Sequence, residues 1–429
     1  MNMKKIVSFP VKNQTAFKIK MLNWATRFNI FCLLDNQQYS FQKPSFECLL
    51  AAGKKNNIEA AAGQAFEMLQ QFYKRHKGEW LFGHFGYDLK NETENLQSQH
   101  EDKIGFSDLH FFVPEIVIEL KAEKATIYSE QDAAGVFDAI ISCPAEIAGN
   151  QTSTAPVQPK IKKDDYLCII EKLKQHILRG DCYEINFCQE FYAANAVMDP
   201  LFIYDRLTAL SPNPFSAFYK FNNRYCLCAS PERYLQKNNG RIFSQPIKGT
   251  AKRDLSDKAS DEKAKKYLLL SDKEKSENVM VVDLVRNDLS RICKPGTVQV
   301  DELFGLYSFP QVHQMISTIS GLPEDGLNWI DCIKATFPMG SMTGAPKKKV
   351  MELIEEFEQT RRGLFSGALG YVKPNGDFDF NVVIRSMMYN VAEKYISFQT
   401  GGGITFKSDA VNEYEECLLK AQAMMKVLQ

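Results

Sequence analysis

The sequence predicts an α+β fold in which large antiparallel sheets carry helices packed on them. Strand-like runs fall in adjacent pairs, and turn residues such as Pro374-Asn375-Gly376 join them. The first third of the chain is rich in aromatic and β-branched residues, as sheet segments are. At 429 residues and 45% hydrophobic, the chain can bury one large core or two ordinary ones. A doubly wound nucleotide fold is disfavoured.

Taken in order, IVSFPV, part of HFGYDL and HFFVPEIVIEL read as strands, with one helical stretch at 56–75. The segment 144–163, PAEIAGNQTSTAPVQPKIKK, has the Pro, Ala, Ser, Thr and Lys content of a solvated linker. It predicts an N-terminal region at 1–145 and a catalytic domain at 160–429. The second part opens with a helix from Asp165 to Arg179, because Ile169, Ile170, Leu173 and Ile177 recur at three and four, and Gly180 stops it. Strands are expected at 184–193, 214–220 and 224–229, then a charged helical stretch at 255–289. Further strands at 298–305 and 311–320 precede a helix after Pro346. Strands at 365–373, 379–389 and 394–400 and a final helix at 409–428 complete the chain.

Composition narrows the partners. The 52 Lys and Arg balance 52 Asp and Glu, so no whole-molecule field draws in nucleic acid or an anionic membrane. No apolar run reaches the roughly 18 residues that span a bilayer, and MNMKKIVSFPVK lacks the hydrophobic stretch of a secretory leader. The 11 cysteines are scattered and odd in number, which fits reduced thiols in the cytosol. Cys226 and Cys228 have no second pair at zinc-ligand spacing, so a structural zinc site is not expected.

Four segments carry chemistry. In SQPIKGTAKR, 244–253, Lys248 stands before Gly249-Thr250, where burial would strip part of its charge and leave a nucleophile or base; the plainer alternative is a surface lysine. In KSENVMVVDLVRNDLSR, 275–291, a helix places Glu277 near Val281, Leu284 and Asp288, so its carboxylate needs a cation or a salt bridge to Arg286 or Arg291. In the last helix Glu416 lies about 60° and Lys420 about 20° to one side of Glu413, beside the apolar face. That stripe is either a surface Glu to Lys pair or a Mg²⁺ ligand set. Just upstream, the glycines of TGGGI, Gly401, Gly402 and Gly403, would open backbone N–H groups to an anion or let a ligand pack close. GSMTGAPKKK departs from a phosphate loop in its spacing, and its three lysines are expected to be a solvated first helical turn.

Together these segments resemble the chorismate-utilising enzymes, a family that includes anthranilate synthase large subunits, aminodeoxychorismate synthases, isochorismate synthases and salicylate synthases. The resemblance covers about 165–429 in family order: GDCYEINFCQEF, SPERYL, PIKGT, SENVMVVDLVRNDLSR, ATFPMGSMTGAPK, GALGYV, IRSM, TGGGI and EYEECLLKA. The first 140 residues resemble the family only loosely. Anthranilate synthases carry Ala at the position of Lys248, and the PIKGT form is similar to the aminodeoxychorismate synthase branch. Gln314 and Asn278, where anthranilate synthases place His, agree. His313 is one residue off and would face the other way on a strand.

The resemblance implies the anthranilate synthase component I-like fold and an amino transfer to chorismate on the route to para-aminobenzoate and folate. Lys248 would attack C2 of the ring, and Glu232 of SPER would protonate the departing C4 hydroxyl. Mg²⁺ would be held by Glu277 and Glu416 with Glu413 nearby. Gly249, Thr250, Thr336, Gly401, Gly402, Gly403 and Lys420 would bind substrate, and Arg385 and Tyr371 would meet the enolpyruvyl carboxylate. The glutaminase pattern Gly-x-Cys-x-Gly-x-Gln is absent, so a separate glutamine amidotransferase subunit is implied as the ammonia source. Leu33-Leu34-Asp35-Asn36 departs from the Leu-Leu-Glu-Ser element of tryptophan-binding relatives, which puts tryptophan feedback in doubt. The alternatives are an anthranilate, isochorismate or salicylate synthase and a non-catalytic chorismate-binding subunit.

Overall fold

The protein is described here by a computed structural model, covering residues 5–39, 46–149, 153–309 and 312–429. The start of the basic N-terminus, three linker residues and residue 311 of an expected strand lie outside the described residues.

Two antiparallel sheets organise the chain. The twelve-stranded sheet runs Lys5–Pro10, Lys124–Ser129, Ile116–Lys121, Cys48–Ala52, Ile30–Asp35, Phe215–Phe221, Arg224–Ser230, Ser386–Asn390, Tyr395–Ile404, Glu184–Ala193 and Gly344–Ala345, with Gln158–Pro159 also beside Glu184–Ala193. The ten-stranded sheet runs Ile247–Lys252, Val312–Gly321, Arg241–Gln245, Arg233–Asn238, Phe378–Val382, Ala368–Val372, Leu81–Phe85, Leu109–Val113 and Asn56–Ala60, with Gln299–Ser308 also beside Val312–Gly321.

The boundary expected at 145–160 does not separate two folding units, because each sheet takes strands from both sides of it. Cross-strand hydrogen bonds join Ile30–Asp35 to Phe215–Phe221 and Leu81–Phe85 to Ala368–Val372. The linker itself is partly strand, with Pro159 opposite Phe191. Its composition reports solvent contact at a sheet edge rather than a hinge.

The core explains which strands escaped the sequence reading. Along Ile30–Asp35, Ile30, Cys32 and Leu34 enter a core between the sheets, while Phe31 and Leu33 enter a second core under the helices. A strand buried on both faces shows no alternation, so its period is hidden. The expected helix at 56–75 begins only at Ala65; Asn56–Ala60 pairs with Leu109–Val113 as a strand. The charged stretch 255–289 is two helices, Lys258–Leu270 and Asp272–Ser290, divided where Ser271 caps the second by accepting from the Glu274 N–H.

The expected strand 379–389 is also two. Phe378–Val382 belongs to the ten-stranded sheet and Ser386–Asn390 to the twelve-stranded one, and the chain crosses between them at Arg385 with φ +50°. A non-glycine residue in that region is held there by its surroundings, a device common at functional sites.

The pair Arg233 and Asp379 ties the sheet interior near this crossing. Both are 2% exposed, with Nε to Oδ1 at 3.0 Å and Nη2 to Oδ2 at 3.1 Å, and the guanidinium lies 4.9 Å from the Phe215 ring. Removing one partner strands a buried charge. Asp379→Ala is expected to lower the unfolding free energy by about 3–5 kcal/mol, measured by urea denaturation.

Candidate active site

A cleft of about 1100 Å³ opens where the ends of both sheets meet the helices Asp272–Ser290 and Ala410–Val427. Alternation aims its walls. Along Glu184–Ala193, Ile185, Phe187 and Phe191 enter the helix-side core, so Glu184, Asn186 and Cys188 face the other way. Ile247–Lys252 pairs with Val312–Gly321 through a register shift between Ile247 and Thr250. Such an irregularity re-aims side chains, and at this one Lys248, Gly249 and Thr250 line the cleft.

Lys248 Nζ donates to Glu184 Oε1 at 2.7 Å. Burial alone would lower the lysine's pKa, but Glu184 and Glu277, then Glu232, outweigh it and raise it above its ordinary value. This corrects the expectation of a partly discharged lysine: Lys248 is held as an ammonium. Glu232, also buried, accepts from Ser341 Oγ at 2.6 Å. Burial lifts its pKa to about 7, against the pull of Ser341 and Lys248. It is therefore partly protonated near neutrality.

The last strand, Tyr395–Ile404, has no side chains where it matters. A Cβ on Gly403 would lie 2.3 Å from Glu184 Oε1 and 2.7 Å from Lys248 Nζ. A Cβ on Gly402 would lie 3.2 Å from Glu413 Oε2 and 3.7 Å from Glu416 Oε1. The same bare strand thus separates the lysine from the carboxylates of the final helix. Lys420 donates to Gly401 O at 2.7 Å and pairs with Glu416 at 2.8 Å, holding the Glu416 carboxyl below its usual range.

Glu277 pairs with neither arginine proposed for it; Arg286 takes Asp283, and Arg291 takes Asn287. Lys273 Nζ instead stands 3.8 Å from Glu277 Oε1 and 3.9 Å from Glu413 Oε1. Burial raises Glu277 to about 7 and raises Glu413 as well. Glu277 Oε1 is buried without a hydrogen-bond partner among the described residues. An all-oxygen donor set with an orphaned buried oxygen and a lysine standing between two carboxylates fits a hard divalent cation. The carboxylates do not form a closed cage: among the described residues no three His, Cys, Asp or Glu come together as a metal-holding group. Magnesium sites commonly use one or two carboxylates and complete the shell with water and substrate.

The Arg385 guanidinium lines the cleft and makes no side-chain hydrogen bond or ion pair with the described residues, and burial lowers its pKa against the opposing pull of Glu416. A desolvated guanidinium without a partner is a ready anion contact.

Two expected substrate contacts are not brought here. Tyr371 lies in the aromatic core, 5.9 Å from both Trp80 and Phe82 between ring centroids, because Ala368–Val372 is a central strand buried on both faces. Thr336 closes the helix Trp329–Thr336, and its hydroxyl bonds Tyr234 at 2.6 Å and Cys332 O at 2.9 Å. Gly401, Gly402, Gly403, Gly249, Thr250, Arg385, Lys420 and the four acidic residues do converge. Lys347, expected in a solvated turn, is instead paired with both oxygens of Asp288 at 2.8 Å. Gln314 lines the cleft, while His313 bonds Asp261 and Ser308 on the other side of its strand.

Sequence reasoning passed over Glu184 and Ser341, although both sit inside quoted motifs. The available signal for Glu184 was its period-two spacing from Asn186 and Cys188, alternating with the apolar Ile185 and Phe187.

A family profile described as chorismate binding enzyme matches residues 29–426. The chain belongs to the chorismate binding enzyme family. The chloroplastic aminodeoxychorismate synthase of Arabidopsis thaliana is 40% identical over 366 residues, 80% of this chain and 39% of that protein. Aminodeoxychorismate synthase component 1 of Salmonella typhimurium is 34% identical, covering 81% of this chain and 76% of its own. Anthranilate synthase component 1 of Acetivibrio thermocellus is 32% identical, covering 81% and 74%. This chain thus spans 39% of the plant relative's length and about three quarters of the bacterial ones'. The fold is that of the crystal structure of anthranilate synthase component I from Streptococcus pneumoniae TIGR4, with a TM-score of 0.77 and 27% identity over 90% of this chain and 94% of that one. Among the described residues no helix is long and apolar enough to cross a membrane.

Glu232 offers a test that needs no substrate. Its folded pKa, about 7, lies above the ordinary 4.5, so the stability it contributes is full below pH 4.5 and is lost as pH rises through 7. Glu232→Gln keeps a neutral side chain throughout. Its stability relative to the parent protein is expected to increase between pH 4.5 and 7, read by urea denaturation across that range.

Proposed function

We propose that the cleft converts chorismate and ammonia to 4-amino-4-deoxychorismate, with Lys248 as nucleophile and Glu232 as general acid. The observation that carries the reading is that Lys248 and Glu232, whose pKa burial lifts to about 7, line one cleft. A nucleophile for C2 and a proton for the C4 oxygen are what an allylic displacement requires.

Chorismate is a dianion, and Arg385, Lys420 and the Gly249-Thr250 backbone supply donors for it. The Lys248 amine forms its bond to C2 while both conjugated ring double bonds shift by one position and the C4–O bond breaks. Glu232 gives its proton to the departing hydroxyl, which leaves as water. Ammonia then enters at C4 and the C2–N bond breaks, returning Lys248. The enolpyruvyl group is kept, which separates this outcome from anthranilate formation.

Glu277 and Glu416, with Glu413, would hold Mg²⁺. When bound, such an ion offsets the charge of a substrate carboxylate. The reading assigns ammonia to a separate glutamine amidotransferase and the protein to the cytosol, where all eleven cysteines stay free thiols. The rival is anthranilate synthesis, to which the Acetivibrio relative's name points; the Ala that resemblance implies for it leaves no nucleophile at position 248.

Incubation with chorismate, Mg²⁺ and ammonium, followed by a separate lyase that eliminates pyruvate from 4-amino-4-deoxychorismate, is expected to yield 4-aminobenzoate. Free anthranilate would sink the proposal. Lys248→Ala should abolish the covalent adduct seen by mass spectrometry, and unchanged chorismate consumption in that variant would exclude covalent catalysis. Glu232→Gln should lower kcat by about 10²–10⁴-fold. In the parent protein kcat should fall as pH climbs past about 7 and Glu232 loses its proton.

A further inference from the structure

Lys248 cannot attack carbon as an ammonium, so something in the cleft must accept its proton. Three acidic side chains raise its pKa, Glu184, Glu277 and Glu232, and they are not equivalent. Glu232 is engaged by Ser341 and must deliver a proton of its own. Glu277 faces Lys273 and the proposed metal position. Glu184 alone among them makes a hydrogen bond to Lys248 Nζ, at 2.7 Å, with the carboxylate side chain 3% exposed. Its second oxygen, Oε2, is buried without a hydrogen-bond partner among the described residues.

We infer that Glu184 is the base that takes the Lys248 proton before attack on C2 and returns it when the lysine is expelled. The inference rests on the covalent reading above. Before attack, one proton passes from Nζ to Glu184, giving a neutral amine and a neutral carboxyl. Nζ then donates its lone pair to C2, and the C4–O bond breaks as Glu232 protonates the leaving oxygen. When ammonia bonds to C4, the C2–N electron pair returns to Nζ. The new C4 ammonium gives one proton to Glu232, and Glu184 returns its proton to Lys248, so both carboxyl groups and the lysine are restored.

The surroundings suit such an exchange. The side chains of Lys248 and Glu184 are only 14% and 3% exposed, and a desolvated ion pair loses more than a neutral hydrogen-bonded pair. Gly403 keeps the two side chains together, since any Cβ there would occupy the space of the bond between them. Two glutamates then work in one turnover, one releasing a proton and one accepting it.

The test is the rate at which chorismate forms the Lys248 adduct without ammonium, followed by mass spectrometry in the parent protein, Glu184→Gln and Glu184→Asp. Glu184→Gln keeps the volume and an acceptor for the ammonium but cannot take its proton, and adduct formation is expected to slow by about 10²–10⁴-fold. Glu184→Asp restores a carboxylate and should recover part of that loss. A Glu184→Gln rate within about twofold of the parent, against the loss a general base implies, would overturn the assignment. Equal losses in the two variants would also overturn it, because a purely structural role does not distinguish the carboxylate from the amide. If the parent protein forms no adduct, the covalent reading falls and this inference with it; an unaffected Glu184→Gln removes the inference alone.

Discussion

Everything in the cleft depends on a strand that has no side chains at its end. Gly401, Gly402 and Gly403 reduce the twelve-stranded sheet to the thickness of its backbone. On one side Glu184 and Lys248 close to 2.7 Å over Gly403, and on the other Glu413 and Glu416 reach across Gly402 from the final helix. A sheet lies between a core and a helix layer, each needing about a side chain's depth. Removing that depth brings groups from opposite faces to one cleft.

The electrostatics follow from this crowding. The chain is neutral overall, yet Glu232, Glu274, Glu277, Glu413 and Glu416 line the cleft with Lys248, Lys273, Arg385 and Lys420, and Glu184 holds Lys248 from beside it. Burial raises Glu232 and Glu277 to about 7, whereas Lys420 keeps Glu416 low. Carboxyl groups of one chemical type thereby come to differ in proton affinity, and on the proposed reading they would serve as a proton donor, cation ligands and a partner for the lysine. Desolvation sets Glu232 and Glu277, and a neighbouring cation sets Glu416.

Much of this was legible beforehand, for identifiable reasons. Antiparallel pairing was written in paired runs and turn residues, and the final helix in its period. Lys248, Glu277 and Glu416 stood out in their own segments, whereas Glu232 and Arg385 were named only through the family resemblance. Thr336 and Tyr371 stood in motifs too, but a motif does not say which of its residues face the ligand; one closes a helix and the other fills an aromatic core. Glu184 was passed over because its role comes from a partner 64 positions away. The strands around Ile30–Asp35 were hidden because both their faces are buried.

The sequence by itself determined the class of fold, the family resemblance and the inventory of charged and glycine residues from which a site can be built. Those properties are local, set by residue type, spacing and period along the chain. The tertiary structure alone decided that the N-terminal strands complete the same sheets, that Arg385 turns between them at positive φ, and that Lys248 meets Glu184. It also decided that the lysine is held charged, since its charge state depends on carboxylates brought in from three other segments. Distances between residues far apart in the chain come from packing, and proton affinities follow those distances.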